Sequence, residues 1–293
     1  MRKRISLLMT VLLLVVLAAC GKAQPAKQSG KLHVVTSLRV YQEAASAVLG
    51  KYGHATAIIA NANTDPHDFE PTTATGKLVA DADIVISNGL GYDDWLDKLV
   101  NAANPDAESL QVATDVLHRK DGDNEHVFYD PTVMFALTKT LTRKFAKLDP
   151  AHAAAYKRNA AAYRKSLQPL KNAVTKLANT GKNKYAASSE PVFDYGLQAA
   201  GYKLIDTSFA KSIEDGTDPT PQELTQLRAD LRSGKIAVFV NNKQSDSLIV
   251  TQVVQYAKKH GVHVVSVRET QPNHTNYLDW MLSNYGQLQQ SPK

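Results

Sequence analysis

The chain has 293 residues, 43% of them hydrophobic, and a formal net charge of +6. These values suit a soluble α/β protein of one large or two medium domains that needs no crosslinks to be stable. Cys20 is the single cysteine, which excludes an intrachain disulfide. The sequence also lacks the clustered basic and aromatic residues typical of nucleic-acid binding.

The first twenty residues have the pattern of a bacterial export signal. A basic start precedes the apolar run Ile5–Leu17, which is too short to span a bilayer comfortably. Small residues before Cys20 resemble a lipobox, which implies removal of residues 1–19 and a diacylglyceryl anchor on Cys20. An ordinary secretory signal with an incidental cysteine is the alternative. Residues 20–30 are polar and predict a flexible tether.

Short β-branched runs alternate with amphipathic segments through both halves of the chain, which is typical of parallel sheets flanked by helices. The predicted strands are Leu32–Ser37, Ala55–Ile59, Ile84–Ser87, Leu110–Ala113, Tyr185–Ser189, Lys203–Asp206, Ile236–Val240 and His263–Val267. Between the sixth and seventh of these strands, the segment Thr220-Pro221-Gln222-Glu223 predicts the start of a helix. It has a capping threonine, a first-turn proline and a glutamate three residues after the cap.

The middle of the chain predicts helix. Residues 131–148 form one helical segment, and an apolar face then continues through residues 149–178, with Pro169 expected to kink or split it. We therefore predict an α/β fold with two lobes, residues 31–148 and 179–293, whose parallel sheets are flanked by helices. A long connecting helix at 149–178 joins them, and the ligand binds in the cleft between the lobes.

Four side chains are candidate metal ligands. Imidazole and carboxylate groups suit manganese and zinc, and ligands of open α/β sheets bind beyond the carboxyl ends of the strands. His67 and His126 follow predicted strands of the first lobe, whereas Glu190 and Glu269 follow strands of the second. Each also has a simpler interpretation: the histidines as turn or helix-start residues, and the glutamates as cap or surface carboxylates.

Several motifs in this order resemble the zinc and manganese solute-binding lipoproteins of bacterial ABC importers. The resemblance covers about residues 32–288, and its motifs are Asp65-Pro66-His67-Asp68-Phe69-Glu70-Pro71-Thr72, Glu125-His126-Val127-Phe128-Tyr129-Asp130-Pro131, Leu148-Asp149-Pro150, Ser189-Glu190-Pro191-Val192-Phe193 and Val267-Arg268-Glu269-Thr270. It implies that His67, His126, Glu190 and Glu269 bind the metal, with Glu269 where most members have aspartate. Metal-bound imidazoles need hydrogen-bond partners that fix their orientation, and Asp65, Asp68 and Glu70 are the candidates.

Two departures from the zinc-specific members favour manganese. The segment 118–124 is short where those members carry a long histidine-rich loop, and Glu190 stands where they tend to have histidine. The usual order of metal affinities still predicts that zinc binds more tightly than manganese in vitro.

The resemblance implies a monomeric, lipid-anchored, extracytoplasmic component with no enzymatic activity. Such a protein captures a divalent transition metal, manganese or zinc, and delivers it to a membrane permease and its ATPase. Two alternatives stay open. One is a metal-dependent hydrolase, although the sequence has neither a His-Glu-x-x-His helix nor a nucleophile elbow. The other is a surface adhesin in which the metal is structural.

Overall fold

A computed structural model of the chain describes residues 30–64, 66–67, 69–245 and 247–289. The predicted signal peptide, the lipidated Cys20 and the tether up to residue 29 lie outside the described residues. Both sheets belong to one unit that begins at Leu32. Within the described part of the chain, no helix is both long and apolar enough to cross a membrane.

The first sheet has four parallel strands in the order β2-β1-β3-β4. The strands are β1 (Leu32–Leu38), β2 (Gly53–Ile59), β3 (Ile84–Ser87) and β4 (Glu108–Gln111), and the helices between them are α1 (Arg39–Leu49), α2 (Thr73–Ala80) and α3 (Asp94–Ala103). Consecutive residues of β1, such as Val34 and Val35, are both fully buried. This is the pattern expected where helices cover both faces of a parallel sheet.

The second sheet repeats this topology with the order β6-β5-β7-β8, again all parallel. Its strands are β5 (Tyr185–Ser188), β6 (Lys203–Leu204), β7 (Ile236–Asn242) and β8 (His263–Val267). We call the two sheets with their helices the first and second lobes. The predicted two-lobe α/β architecture is thereby confirmed.

Four helices lie between or alongside the two sheets: α4 (Val133–Leu148), α5 (Ala153–Ser166), α6 (Gln168–Leu177) and, at the end of the described chain, α11 (Tyr277–Gln289). The predicted connecting helix is split at Leu167, two residues before Pro169. Proline lies in the first turn of α6, where its missing N–H breaks no intrahelical hydrogen bond. Helix α11 packs on α6 and on β8, so α6 is joined to the second lobe, whereas α5 packs on α1 and α4.

The remaining second-lobe helices are α7 (Asp194–Ala199), α8 (Thr207–Glu214), α9 (Pro221–Arg232) and α10 (Leu248–Lys259). Helix α9 begins as predicted, since Thr220 Oγ1 accepts from the N–H of Glu223 (3.2 Å) and Glu223 Oε2 accepts from the N–H of Thr220 (2.7 Å). This reciprocal pair satisfies two backbone donors that the first turn of a helix leaves open.

The shared strand order brings the functional loops together. In each sheet the connections change direction between the first and third strands, and ligands of α/β folds bind outside the carboxyl ends of strands at such a point. His67 follows β2, Tyr92 follows β3, Glu190 follows β5 and Glu269 follows β8. Contacts between these residues, described next, show that the carboxyl ends of the two sheets meet.

Candidate metal site

His67 lies in the loop after β2 and is the most accessible member of the site, with its side chain 32% exposed. Its Nε2 atom is 3.3 Å from Oε1 of Glu269 and 3.9 Å from Oε1 of Glu125. The edge of the ring meets Tyr92 at a centroid distance of 5.0 Å. The imidazole thus stands at the rim of a group of side chains that are otherwise buried.

His126 is buried and held by a defined set of hydrogen bonds. The amide nitrogen of Asn124 donates to the carbonyl of Pro191 (2.6 Å), so its Oδ1 is the acceptor that faces His126. That oxygen accepts from the backbone N–H of His126 and lies 2.9 Å from its Nδ1. Nδ1 must therefore carry a proton, which leaves the Nε2 lone pair of the neutral ring available to a metal.

Glu269, two residues beyond β8, is only 4% exposed and lies between the two imidazoles. Its Oε1 accepts from the hydroxyl of Tyr92 (2.9 Å) and is 3.7 Å from Nε2 of His126. Burial favours the neutral acid, but the two histidines outweigh burial and hold the pKa of the Glu269 carboxyl well below its usual range. Glu269 is therefore an anionic ligand candidate.

The segment that carries Glu269 is attached to the first lobe, although it follows a strand of the second. The Thr270 hydroxyl donates to the carbonyl of Ala62 (2.7 Å), and the Arg268 guanidinium donates to the same carbonyl (3.0 Å). The hydroxyl of Tyr129, a first-lobe residue, also donates to the carbonyl of Arg268 (2.6 Å). These bonds position Glu269 beside the two histidines of the first lobe.

Three predicted ligands are thus brought together. One donor atom each from His67, His126 and Glu269 lies within 4.8 Å of the other two. Two neutral imidazoles and a carboxylate form a donor set that suits zinc and manganese. Nε2 of His126 is buried and has no hydrogen-bond partner among the described residues, which is costly unless a ligand satisfies it.

The fourth predicted ligand, Glu190, is not in this group. Its Oε2 instead accepts from the amide of Asn242 (2.6 Å) at the end of the neighbouring strand β7. Burial raises the pKa of the Glu190 carboxyl, while the Asn242 hydrogen bond lowers it and the negative charge of Glu269 adds to the increase. Ligation by Glu190 stays a prediction.

Of the three residues expected to hold the imidazoles, the structure describes only Glu70. Asp65 and Asp68 lie outside the described residues, and Glu70 is exposed and makes no hydrogen bond to either imidazole within the described chain. Within the described part of the chain, Tyr92 lies next to Glu269, and Asn124 and Glu214 lie next to His126. Asn124 was detectable as a neighbour of His126 in its motif, and Tyr92 as part of the segment after β3. Glu214 carries no comparable sequence signal.

The site is strongly electronegative. Burial disfavours the charged form of His126, but Glu269, Glu214 and Glu125 outweigh burial, so the pKa of His126 is raised. Burial also raises the pKa of Glu125, against the opposing effect of the two imidazoles. Carboxylates that raise each other's pKa favour binding of a compensating cation, which a divalent metal supplies.

Comparison with known proteins agrees with this geometry. A sequence profile described as zinc-uptake complex component A, periplasmic, matches residues 34–291. The manganese-binding lipoprotein MntA of Halalkalibacterium halodurans is 25% identical over 257 residues, which cover 85% of each protein. The zinc-binding lipoprotein AdcA of Streptococcus pneumoniae is 24% identical over 268 residues, covering 85% of this chain and 52% of AdcA.

A solved structure has the same fold. FpvC of Pseudomonas aeruginosa, in complex with Ni²⁺, matches with a TM-score of 0.74 at 23% identity, covering 90% of this chain and 98% of FpvC. At this identity the likeness concerns the fold, namely two parallel sheets flanked by helices.

Proposed function

The chain belongs to the zinc-uptake complex component A family, and on that premise we propose that it is the substrate-binding component of an ABC importer for a divalent transition metal. It captures manganese or zinc outside the cytoplasm and delivers the ion to a membrane permease that is driven by an ATPase. The relatives that are named as manganese- and zinc-binding lipoproteins support this cargo.

The convergence of His67, His126 and Glu269 carries the proposal. Their donor atoms come from three separate loops, yet lie within 4.8 Å of one another. When the ion binds, these atoms replace most of its water, with bonds of about 2.0–2.2 Å if the ion is zinc. Glu190 completes the set from the second lobe, so the position of that lobe depends on whether the site is loaded.

The donor set suits both metals and does not discriminate by softness. With two imidazoles and two carboxylates, zinc binds more tightly than manganese in the usual order of divalent metals. Carboxylate at position 190, where zinc-specific relatives tend to have histidine, favours manganese as the physiological cargo. Metal availability outside the cell then decides which ion is carried.

The proposed location and partners follow from the family and from the amino-terminal sequence. The relatives are named as lipoproteins, and Cys20 follows small residues at the end of an apolar run. We place the protein outside the cytoplasmic membrane as a monomer, anchored by lipid on Cys20. Membership of a transport family favours this function over a hydrolase or an adhesin with structural metal.

Calorimetric titration of residues 21–293 with Mn²⁺ and Zn²⁺ tests the proposal. We expect one tight site per chain, lost in His67→Ala. His260→Ala is the matched control, because His260 follows α10 at the amino end of β8, the edge of the sheet opposite the site. Absence of a tight site for both metals, or equal binding by wild type and His67→Ala, contradicts the proposal.

A further inference from the structure

Glu214 is a buried carboxylate that the ligand set does not include. It is the last residue of α8 in the second lobe, and its side chain is only 7% exposed. Oε2 forms an ion pair with Nζ of Lys211 (2.7 Å). Oε1 is buried, has no hydrogen-bond partner in the described chain, and lies 3.5 Å from Nδ1 of His126.

Two effects oppose a carboxylate at this position. A buried oxygen without a hydrogen bond loses its hydration without compensation. The carboxyl end of a helix also carries partial negative charge, which repels an anion. Pairing with Lys211 does not require burial, because the neighbouring Asp215 binds the same ammonium (2.8 Å) while its side chain is 51% exposed.

The orientation of His126 explains why the Glu214 carboxylate is buried. The Nδ1 proton points toward Asn124 Oδ1, and Oε1 of Glu214 stands on the same side of the ring. A metal-bound imidazole typically donates its other N–H to a carboxylate or carbonyl, which fixes its tautomer and strengthens it as a ligand. Charge on the metal makes that N–H a stronger donor.

We propose that Glu214 is a positioning residue for His126, holding its Nδ1–H from the opposite lobe so that Nε2 faces the cargo metal. The proposal builds on the metal-binding function argued above. Since α8 belongs to the second lobe and His126 to the first, this contact links the strength of a first-lobe ligand to the approach of the second lobe. When the lobes separate, Asn124 alone holds the His126 imidazole, and this imidazole binds the ion more weakly.

Glu214→Gln is the test, because it keeps the size of the side chain and removes its charge. We expect its affinity for Zn²⁺ to fall about 10- to 100-fold, as for outer partners of metal-bound histidines. Asp215→Asn is the matched control, since it also removes a carboxylate from Lys211 but at an exposed side chain that forms no ion pair with His126 within the described chain. It should bind like the wild type. Wild-type affinity in Glu214→Gln, or an equal loss in both variants, overturns the proposal.

Nitrogen-15 NMR of the imidazoles gives a readout that a purely structural role would not change. In the zinc-loaded wild type, Nδ1 of His126 should carry a proton shifted downfield by the carboxylate, and this shift should decrease in Glu214→Gln. The wild-type spectrum decides even if the variant does not fold, because a metal-bound or unshifted Nδ1 contradicts the proposal. If the wild type binds neither metal, the proposed function fails. The difference in the His126 Nδ1–H shift between the metal-free wild type and metal-free Glu214→Gln then still tests the contact with Glu214.

Discussion

Replacing Tyr92 by phenylalanine removes one oxygen atom from the centre of the site. The tyrosine is buried, and its hydroxyl donates to Oε1 of Glu269 (2.9 Å). The nearby rings of His67 and His126, at centroid distances of 5.0 and 5.9 Å, pack against the aromatic ring, which phenylalanine retains. The variant therefore tests the hydroxyl alone.

The expected magnitude follows from the charge and burial of the acceptor. A hydrogen bond to a charged group contributes about 1.5–3 kcal/mol, so we expect the free energy of unfolding of the metal-free protein to fall by about that amount. Glu269 also loses the donor that holds it between the histidines. Affinity for Zn²⁺ should therefore fall about 10- to 100-fold, the range typical of outer partners of metal ligands.

The assays are chemical denaturation of the metal-free protein and calorimetric titration with Zn²⁺. Tyr156→Phe is the control, because the Tyr156 hydroxyl donates to the Asp149 carboxylate (2.6 Å) between α4 and α5. It should lower stability without changing metal affinity. A Tyr92→Phe protein that loses stability but binds zinc like the wild type would refute the view that Tyr92 positions Glu269.

Three further predictions follow from the structure. Glu190→Ala should lower Zn²⁺ affinity by more than the 10- to 100-fold typical of outer partners, and a smaller loss in titration would exclude Glu190 as a ligand. Because the raised pKa of His126 favours its protonated form, metal binding should release a proton and weaken as the pH falls through that pKa; titrations in buffers of different ionisation enthalpy measure the proton, and identical heats would contradict the prediction. Thr220→Ala should lower the free energy of unfolding by about 1 kcal/mol through loss of the α9 cap, with Thr225→Ala as the control, and denaturation curves that coincide would contradict it.

The sheet strands were predictable because buried parallel strands are continuous apolar runs bounded by turn residues. Strands β3 and β8 have the predicted bounds. The bounds of the fourth strand, β4, differ from the predicted ones. The strand covers Glu108–Gln111, and the predicted residues 112 and 113 begin a single π-helical turn, where the Asp115 carboxylate accepts from the N–H of Gln111 (2.9 Å). An apolar pair at a strand end fits either state, and this side-chain contact favours the turn.

The ligand candidates were predictable from strand ends and motifs, but their partners depend on long-range contacts. Tyr92 and Glu269 are 177 positions apart in sequence, and no local pattern relates them. Glu214 and Lys211 resemble an ordinary surface ion pair within one helix, and only the tertiary fold buries the carboxylate against His126. Glu190 follows its strand as predicted, yet its hydrogen bond to Asn242 depends on the pairing of β5 with β7.

A crystal structure of the zinc-loaded protein, with the ion located by its anomalous scattering, tests the central claim most directly. We predict one peak per chain, about 2.0–2.2 Å from Nε2 of His67, Nε2 of His126 and a carboxylate oxygen of Glu269, with Glu190 or a water molecule in the fourth position. A peak elsewhere, or one that either histidine fails to reach, would contradict the account.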